Sequence, residues 1–412
     1  MSDHQRRLFC RLAFVLCCVL PTCLVGHWIA FPITTRQRSA ELAGLLQCPV
    51  EIDSVHTPTP NQLRYVGLRL GSGGERAWGE FQAAKLARDE NGHRVTLSAT
   101  DMTLSQFSEL ARHLCQVAAR GSWPPGRLTL TIPRLTIRAD HSDLPSDQFF
   151  IAKNCTIRVS VATNQTHVIV EFFADQAAAV PIRWEMTCTE STRSVSWSLD
   201  TGSGVLPCWL MADAWPAIVN LGGACWFAGR MRGEKSPGES ALEIEDTQLL
   251  ELDLTRLVQM AREANEDATP AFVAHPGSKA IVQRAHWTGG RLEEARVDVH
   301  VPGGGRCDAA FLESAKRWLN VAVAEGVGSD PVPFGQLLMG FEIRAGRLSV
   351  WGDAQTGLIA LTPQRQPLLA ATRESQGLSP HRLAGWLSCE ETATFPVSTA
   401  SLELIGRLPV RR

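Results

Sequence analysis

Charge of either sign is absent from Leu12 to Phe31, and no other stretch of the 412 residues is comparably apolar. A basic excess is missing too. Forty Lys and Arg stand against forty-two Asp and Glu, for a net charge of -2. No basic patch dominates, which gives no reason to expect nucleic acid as a partner. Lysine is confined to positions 85, 153, 235, 279 and 316, and Tyr65 is the one tyrosine beside twelve tryptophans. No cysteine pair has C-x-x-C spacing, and no histidine pair is spaced H-x-H or H-x-x-x-H. Zinc-type motifs are therefore missing, and no metal site or cofactor is expected. With 44% hydrophobic residues the chain is an ordinary globular one with enough apolar mass for a large core.

What is present begins with that uncharged run. Arg6, Arg7 and Arg11 precede it, and Trp28 and Phe31 close it. Twenty apolar residues suffice to cross a bilayer as one helix. Ile29-Ala30-Phe31-Pro32 is a poor cleavage site, and Leu20-Pro21-Thr22-Cys23 is a poor lipidation site. An uncleaved signal anchor is therefore favoured over a cleaved signal or a lipoprotein. The arginines ahead of the run favour a cytoplasmic basic tail over 1–11 and a transmembrane anchor over 12–31, with the large domain outside. The expected location is the inner membrane, single-pass, with the body in the periplasm and the bilayer itself as a partner.

Beyond the anchor, period-two alternation dominates. Leu128, Leu130 and Ile132 alternate with Thr129 and Thr131. Ile157, Val159 and Val161 alternate with polar residues, as do Val195, Trp197 and Leu199, and Val297, Val299 and Val301. Leu402 and Leu404 flank Glu403 in the same manner. Such strands belong to sheets with one buried and one wet face. Gly and Pro clusters at 71–74, 202–204, 236–238 and 302–305 read as turns.

Four amphipathic helices interrupt the strands. Thr103 and Gln106 make a capping box ahead of Leu104, Phe107, Leu110 and Leu114, and Gly121 suits the end. Asp253 caps a second helix with Leu254, Leu257 and Val258. Asp308 caps a third with Phe311, Ala315, Trp318 and Leu319. Ser379-Pro380 opens a fourth with Leu383, Trp386 and Leu387. A less regular helix is expected from Pro207 towards Asn220. The fold class is α+β and β-rich, with elongated antiparallel sheet segments. Glu, Asp, Thr, Pro and Gly concentrate from Asn265 to Gly277, which divides a β-rich region at 40–264 from a second one, with helices, at 278–412.

Three segments carry a resemblance. The first is Val50-Glu51-Ile52-Asp53-Ser54-Val55 followed by Arg64-Tyr65-Val66-Gly67-Leu68-Arg69-Leu70. The second runs from Phe227 to Gly233, then Ala241 to Asp246, then Leu252 to Leu257. The third runs from Phe334 to Val350 around the Ala345-Gly346 turn. Together with the anchor they are similar to the AsmA-like family of bacterial envelope proteins. The resemblance implies an N-terminal anchor, a long β body outside the cytoplasm and no catalytic residues. It also implies a role in membrane lipid organisation or transport, with phospholipid or an envelope protein as partner. Residues 140–200 match no part of that pattern, and the chain is short for the family.

Catalytic signatures fail on inspection. Gly223-Ala224-Cys225-Trp226 looks like a cysteine-protease nucleophile segment, but strand and turn residues follow where a helix is required. Gly71–Gly74 and Gly202–Gly204 lack the lysine of a phosphate loop and read as hairpin turns. Gly303-Gly304-Gly305 precedes a helix already capped by Asp308. No catalytic, cofactor-binding or metal residue is expected. An anchored scaffold that uses exposed sheet edges is the alternative, and an anchored hydrolase a more distant one. The eight cysteines past the anchor read as small buried apolar residues, with disulfides open to any pairing if the body meets an oxidising compartment.

Overall fold

The computed structural model describes residues 14–59, 62–71, 77–89, 92–121, 123, 126–140, 147–174, 179–212, 216–261, 271–325 and 331–388. The basic tail at 1–11, residues 72–74 of the first glycine turn and the Leu402–Leu404 strand lie outside them.

A π-helical stretch, Val15–Val19, leads directly into helix α1, Leu20–Leu46. Phe14, Val15, Leu16, Val19, Leu20, Leu24 and Val25 are all exposed. Among the described residues no helix is long and apolar enough to cross a membrane. The far end of α1 belongs to the body, where Leu42 and Leu46 are buried. The Ser39 hydroxyl donates to the Val50 carbonyl. Gln47 ends the helix in the left-handed conformation (φ 54°).

Among the described residues, one sheet then takes up twenty strands. They are β1 (Val50–Thr59), β2 (Gln62–Leu70), β3 (Gly79–Asp89), β4 (Gly92–Leu97), β5 (Thr100–Thr103), β6 (Gly126–Arg138), β7 (Phe149–Ala162), β8 (Gln165–Ala174), β9 (Ile182–Thr189), β10 (Ser194–Asp200), β11 (Leu206–Pro207), β12 (Trp226–Ser236), β13 (Glu239–Leu250), β15 (Lys279–Thr288), β16 (Arg291–Val301), β18 (Ala322–Val323), β20 (Gln336–Arg344), β21 (Arg347–Trp351), β22 (Leu358–Leu361) and β23 (Pro367–Ala370). A second sheet holds β14 (Phe272–Ala274), β17 (Gly305–Cys307) and β19 (Val332–Phe334). Helices α2 (Leu104–Ala119), α3 (Leu254–Ala261), α4 (Ala309–Leu319) and α5 (His381–Ser388) sit where the capping residues place them. Thr103 and Gln106 form both bonds of the capping box. Asp253 accepts from the Arg256 amide at 2.9 Å, and Asp308 from the Phe311 amide at 2.7 Å.

Pairing follows chain order from β1 to β4, passes to β6, which β5 also joins, and continues in order to β10, then through β12, β13, β15, β16 and β20. The register sorts the two faces. Leu130, Ile157, Val170, Trp184, Leu199, Met231, Ile244, Ala285, Ala295 and Ile343 are successive cross-strand partners on the inner face. Glu171, Arg183, Asp200, Arg230, Glu245 and Arg284 form a matching row on the outer face. Opposite charges thus face each other across neighbouring strands, the favourable cross-strand arrangement.

Antiparallel pairing prevails as expected, with one exception: β4 and β5 run parallel to β6. A parallel return needs a crossover of a dozen or more residues, and α2 supplies it. The glycines at 202–204 do not close a hairpin. β10 and β11 both pair with β12, so the turn is a kink within one line of strand. The helix expected from Pro207 towards Asn220 is two short 3-10 turns, Cys208–Met211 and Pro216–Leu221. Proline lacks the amide that would join the second turn to a preceding one. Across the 265–277 segment, β13 pairs with β15 and the large sheet continues.

Candidate functional site

The inner face is covered differently along its length. Over the first half lies α2, against β3, β5, β6, β8 and β9. Its Leu104, Val117 and Ala118 are buried there, with Phe107, Leu110 and Leu114 packed beside them.

Over the second half the covering elements are shorter and leave a hollow. Its floor is the inner face of β13, β15, β16 and β20, where Leu249, Ala280, Val299 and Met339 are successive partners and Val297 faces Phe341. Its roof is built from α3, α5 and the Pro216–Leu221 turn, which contribute Leu254, Leu257, Val258, Leu383, Trp386, Leu387 and Leu221. An aromatic series runs along one side, with Phe272, Phe311 and Trp386 on the cavity itself. Phe334 stacks on Phe272 at 5.4 Å between centroids, Phe272 meets Phe311 at 5.2 Å, and Phe311 meets Trp386 at 5.3 Å. The cavity volume is about 570 Å³, within the range of small-molecule sites. Met260 lines it and is 47% exposed, so the hollow reaches the surface.

The lining is almost entirely hydrocarbon and aromatic. Asn220 is its polar side chain, and the buried indole N–H of Trp386 has no hydrogen-bond partner among the described residues. A buried donor without an acceptor is costly, and an acceptor on a ligand would relieve it. Among the described residues no acid, base or nucleophile lines the cavity.

A shallow depression of about 300 Å³ on the outer face is lined by Glu185, Arg232, Glu243 and His286. Arg232 Nε donates to Glu243 at 2.7 Å, and that bond holds the Glu243 carboxyl below its usual range. Arg284 also lies 3.5 Å from Glu243. These are surface ion pairs of modest energetic worth. Among the described residues no group of three or more His, Cys, Asp or Glu could hold a metal ion.

Cys225 of the protease-like segment is fully buried just ahead of β12, and no helix starts there. Its sulfur touches that of Cys208, and this contact together with burial raises the Cys208 thiol well above its ordinary value. Cys208 is therefore not poised as a thiolate nucleophile. Gly304 and Gly305 approach the backbone of Phe334 and Val273 so closely that a Cβ would collide, which accounts for both glycines without an anion.

Sequence reasoning found the helices of the roof and the strands of the floor but not the hollow between them. Small residues such as Ala280 and Ala261, placed among leucines and phenylalanines, were its trace in the sequence. No protein-family model matches the chain, and no curated protein matches it either.

Proposed function

We propose that this is a non-enzymatic, membrane-tethered protein of AsmA-like character that holds the acyl portion of a lipid in the cavity between its sheet and α3, α4 and α5. The observation that carries this reading is the 570 Å³ apolar hollow. A continuous one-sided sheet offers hydrocarbon contact, and the short helices partly cover it with further apolar side chains. The row of exposed apolar residues from Phe14 to Val25 supports membrane attachment close to the body.

The test is lipid retention. Full-length protein extracted in mild detergent is expected to retain phospholipid or fatty acid, detected by native mass spectrometry and by extraction. Paired Ala280→Trp and Val299→Phe substitutions fill the floor and should reduce retention at least tenfold while the fold persists. Retention equal to that of an unrelated single-span protein, or unchanged in the filled variant, would refute the reading. A scaffold role is the second reading. It draws on β1, which among the described residues pairs with β2 alone and so presents an edge open to strand addition. Crosslinking in membranes would then yield a defined complex, lost on Asp53→Pro.

A further inference from the structure

Two thiols face each other beside the roof of the cavity. Cys208 and Cys225 are both 0% exposed, and their Sγ atoms are 3.4 Å apart. The backbone holds them in place. Leu206 and Pro207 of β11 pair with Phe227 and Trp226 of β12. On the next rung the Cys208 amide donates to the Cys225 carbonyl at 2.9 Å. The Cys225 amide turns instead to the Gly222 carbonyl at 3.0 Å, so the approach of the two cysteines is held by that one bond and by the pairing of β11 with β12. From 3.4 Å, the sulfurs need close by only about 1.4 Å to reach a bond of ~2.05 Å.

We infer that Cys208 and Cys225 are a disulfide site, oxidised within the chain whenever the body folds in the presence of a low-molecular-weight disulfide. The exchange balances with oxidised glutathione. The thiolate of one cysteine attacks it, forms a mixed disulfide and releases one glutathione thiol. The other cysteine then displaces the second glutathione. The protein loses two sulfur-bound hydrogens and gains one S–S bond, while the glutathione disulfide is reduced to two thiols. Because both sulfurs are buried in the finished structure, the exchange belongs to folding or to a transient opening of this corner.

The bond would secure one part of the cavity roof. Between the two cysteines lies the Pro216–Leu221 turn, whose Asn220 and Leu221 line the hollow. The Leu221 carbonyl accepts from the amide of Asp253, the residue that caps α3. A crosslink from Cys208 to Cys225 closes this loop at its base. The inference stands apart from the lipid reading, because the exchange requires no ligand and no particular side of a membrane.

Peptide mapping tests it directly. Trypsin cuts after Arg193 and Arg230, and the peptide between them carries Cys208, Cys225 and no other cysteine. Full-length protein in detergent is refolded in a glutathione redox buffer. In parallel, protein that was never unfolded is incubated with oxidised glutathione. Both are denatured, alkylated with N-ethylmaleimide and digested without reduction. The expected peptide is lighter than its dithiol form by two hydrogens and carries no alkyl group. After reduction it should take up two. Cys208→Ser should convert Cys225 to an alkylated thiol with no new crosslink. Recovery of the wild-type peptide with two alkyl groups in both arms would overturn the inference, as would a link from either cysteine to a different one.

Discussion

Replacing Leu42 with alanine tests whether α1 is built into the body or merely leads to it. Leu42 is 0% exposed near the C-terminal end of a helix whose other end is bare. Leu-to-Ala changes at such sites cost about 3 kcal/mol, from the lost transfer energy and the cavity left behind. The neighbouring Arg38–Glu41 pair, at 42% and 57% exposure, is a suitable control, because an exposed pair is worth at most about 1 kcal/mol. Hydrogen exchange followed by mass spectrometry gives the readout. Each 1.4 kcal/mol is a factor of ten, so Leu42→Ala should accelerate exchange of amides 39–46 by about 100-fold where they open with the docked unit. Glu41→Gln should change them less than about fivefold. If wild-type amides 39–46 exchange as fast as those at 20–25, or if Leu42→Ala leaves them unchanged, α1 is not docked and the reasoning fails.

Asp308→Ala removes the acceptor for the Phe311 amide at the start of α4 and should cost about 1 kcal/mol, read as a lower urea midpoint with unchanged slope. His113 supplies a pH dependence. Its Nε2 lies 2.9 Å from the Gln47 carbonyl and its ring packs 4.6 Å from that of Trp78, and burial lowers its pKa below 6.5. The unfolded chain therefore binds the proton more readily. This stability is present above pH 6.5 and is lost as pH falls from there through the folded value. Exchange at 39–46 should quicken between pH 7.5 and 5.5 once corrected for intrinsic rates, and His113→Gln should flatten that response.

Much of the local chemistry that closes within a few residues was legible in the sequence, although the segment from Gly202 to Asn220 was not. The Thr103–Gln106 box and the Asp253 and Asp308 caps each need only three or four positions, and all formed. Alternation placed the strand faces for the same reason: side-chain direction repeats every two residues. What could not be read depends on register between distant segments. The pairing of β13 with β15 across a Pro- and Gly-rich segment, the parallel approach of β4 to β6, and the meeting of Cys208 with Cys225 follow from which strand lies beside which. The hollow is less legible still. It is a difference in volume between a floor and a roof that the same apolar pattern could equally have filled.

The strand order has a consequence for synthesis. From β1 to β10 each new strand, apart from the short β5, joins the growing edge left by an earlier one, and β12, β13, β15 and β16 extend that edge in turn. A chain made from its N-terminus therefore adds most of its long strands to an edge already formed, whereas the short β18 pairs with the later β23. Mostly local pairing of this kind lowers the entropic barrier that slows most large β proteins. The helix at Val15–Leu46, finished first and docked on β1, would serve as the seed of this vectorial assembly. The outer charge row would act as a running check on register, because a slip of one residue turns an arginine or glutamate towards the apolar face.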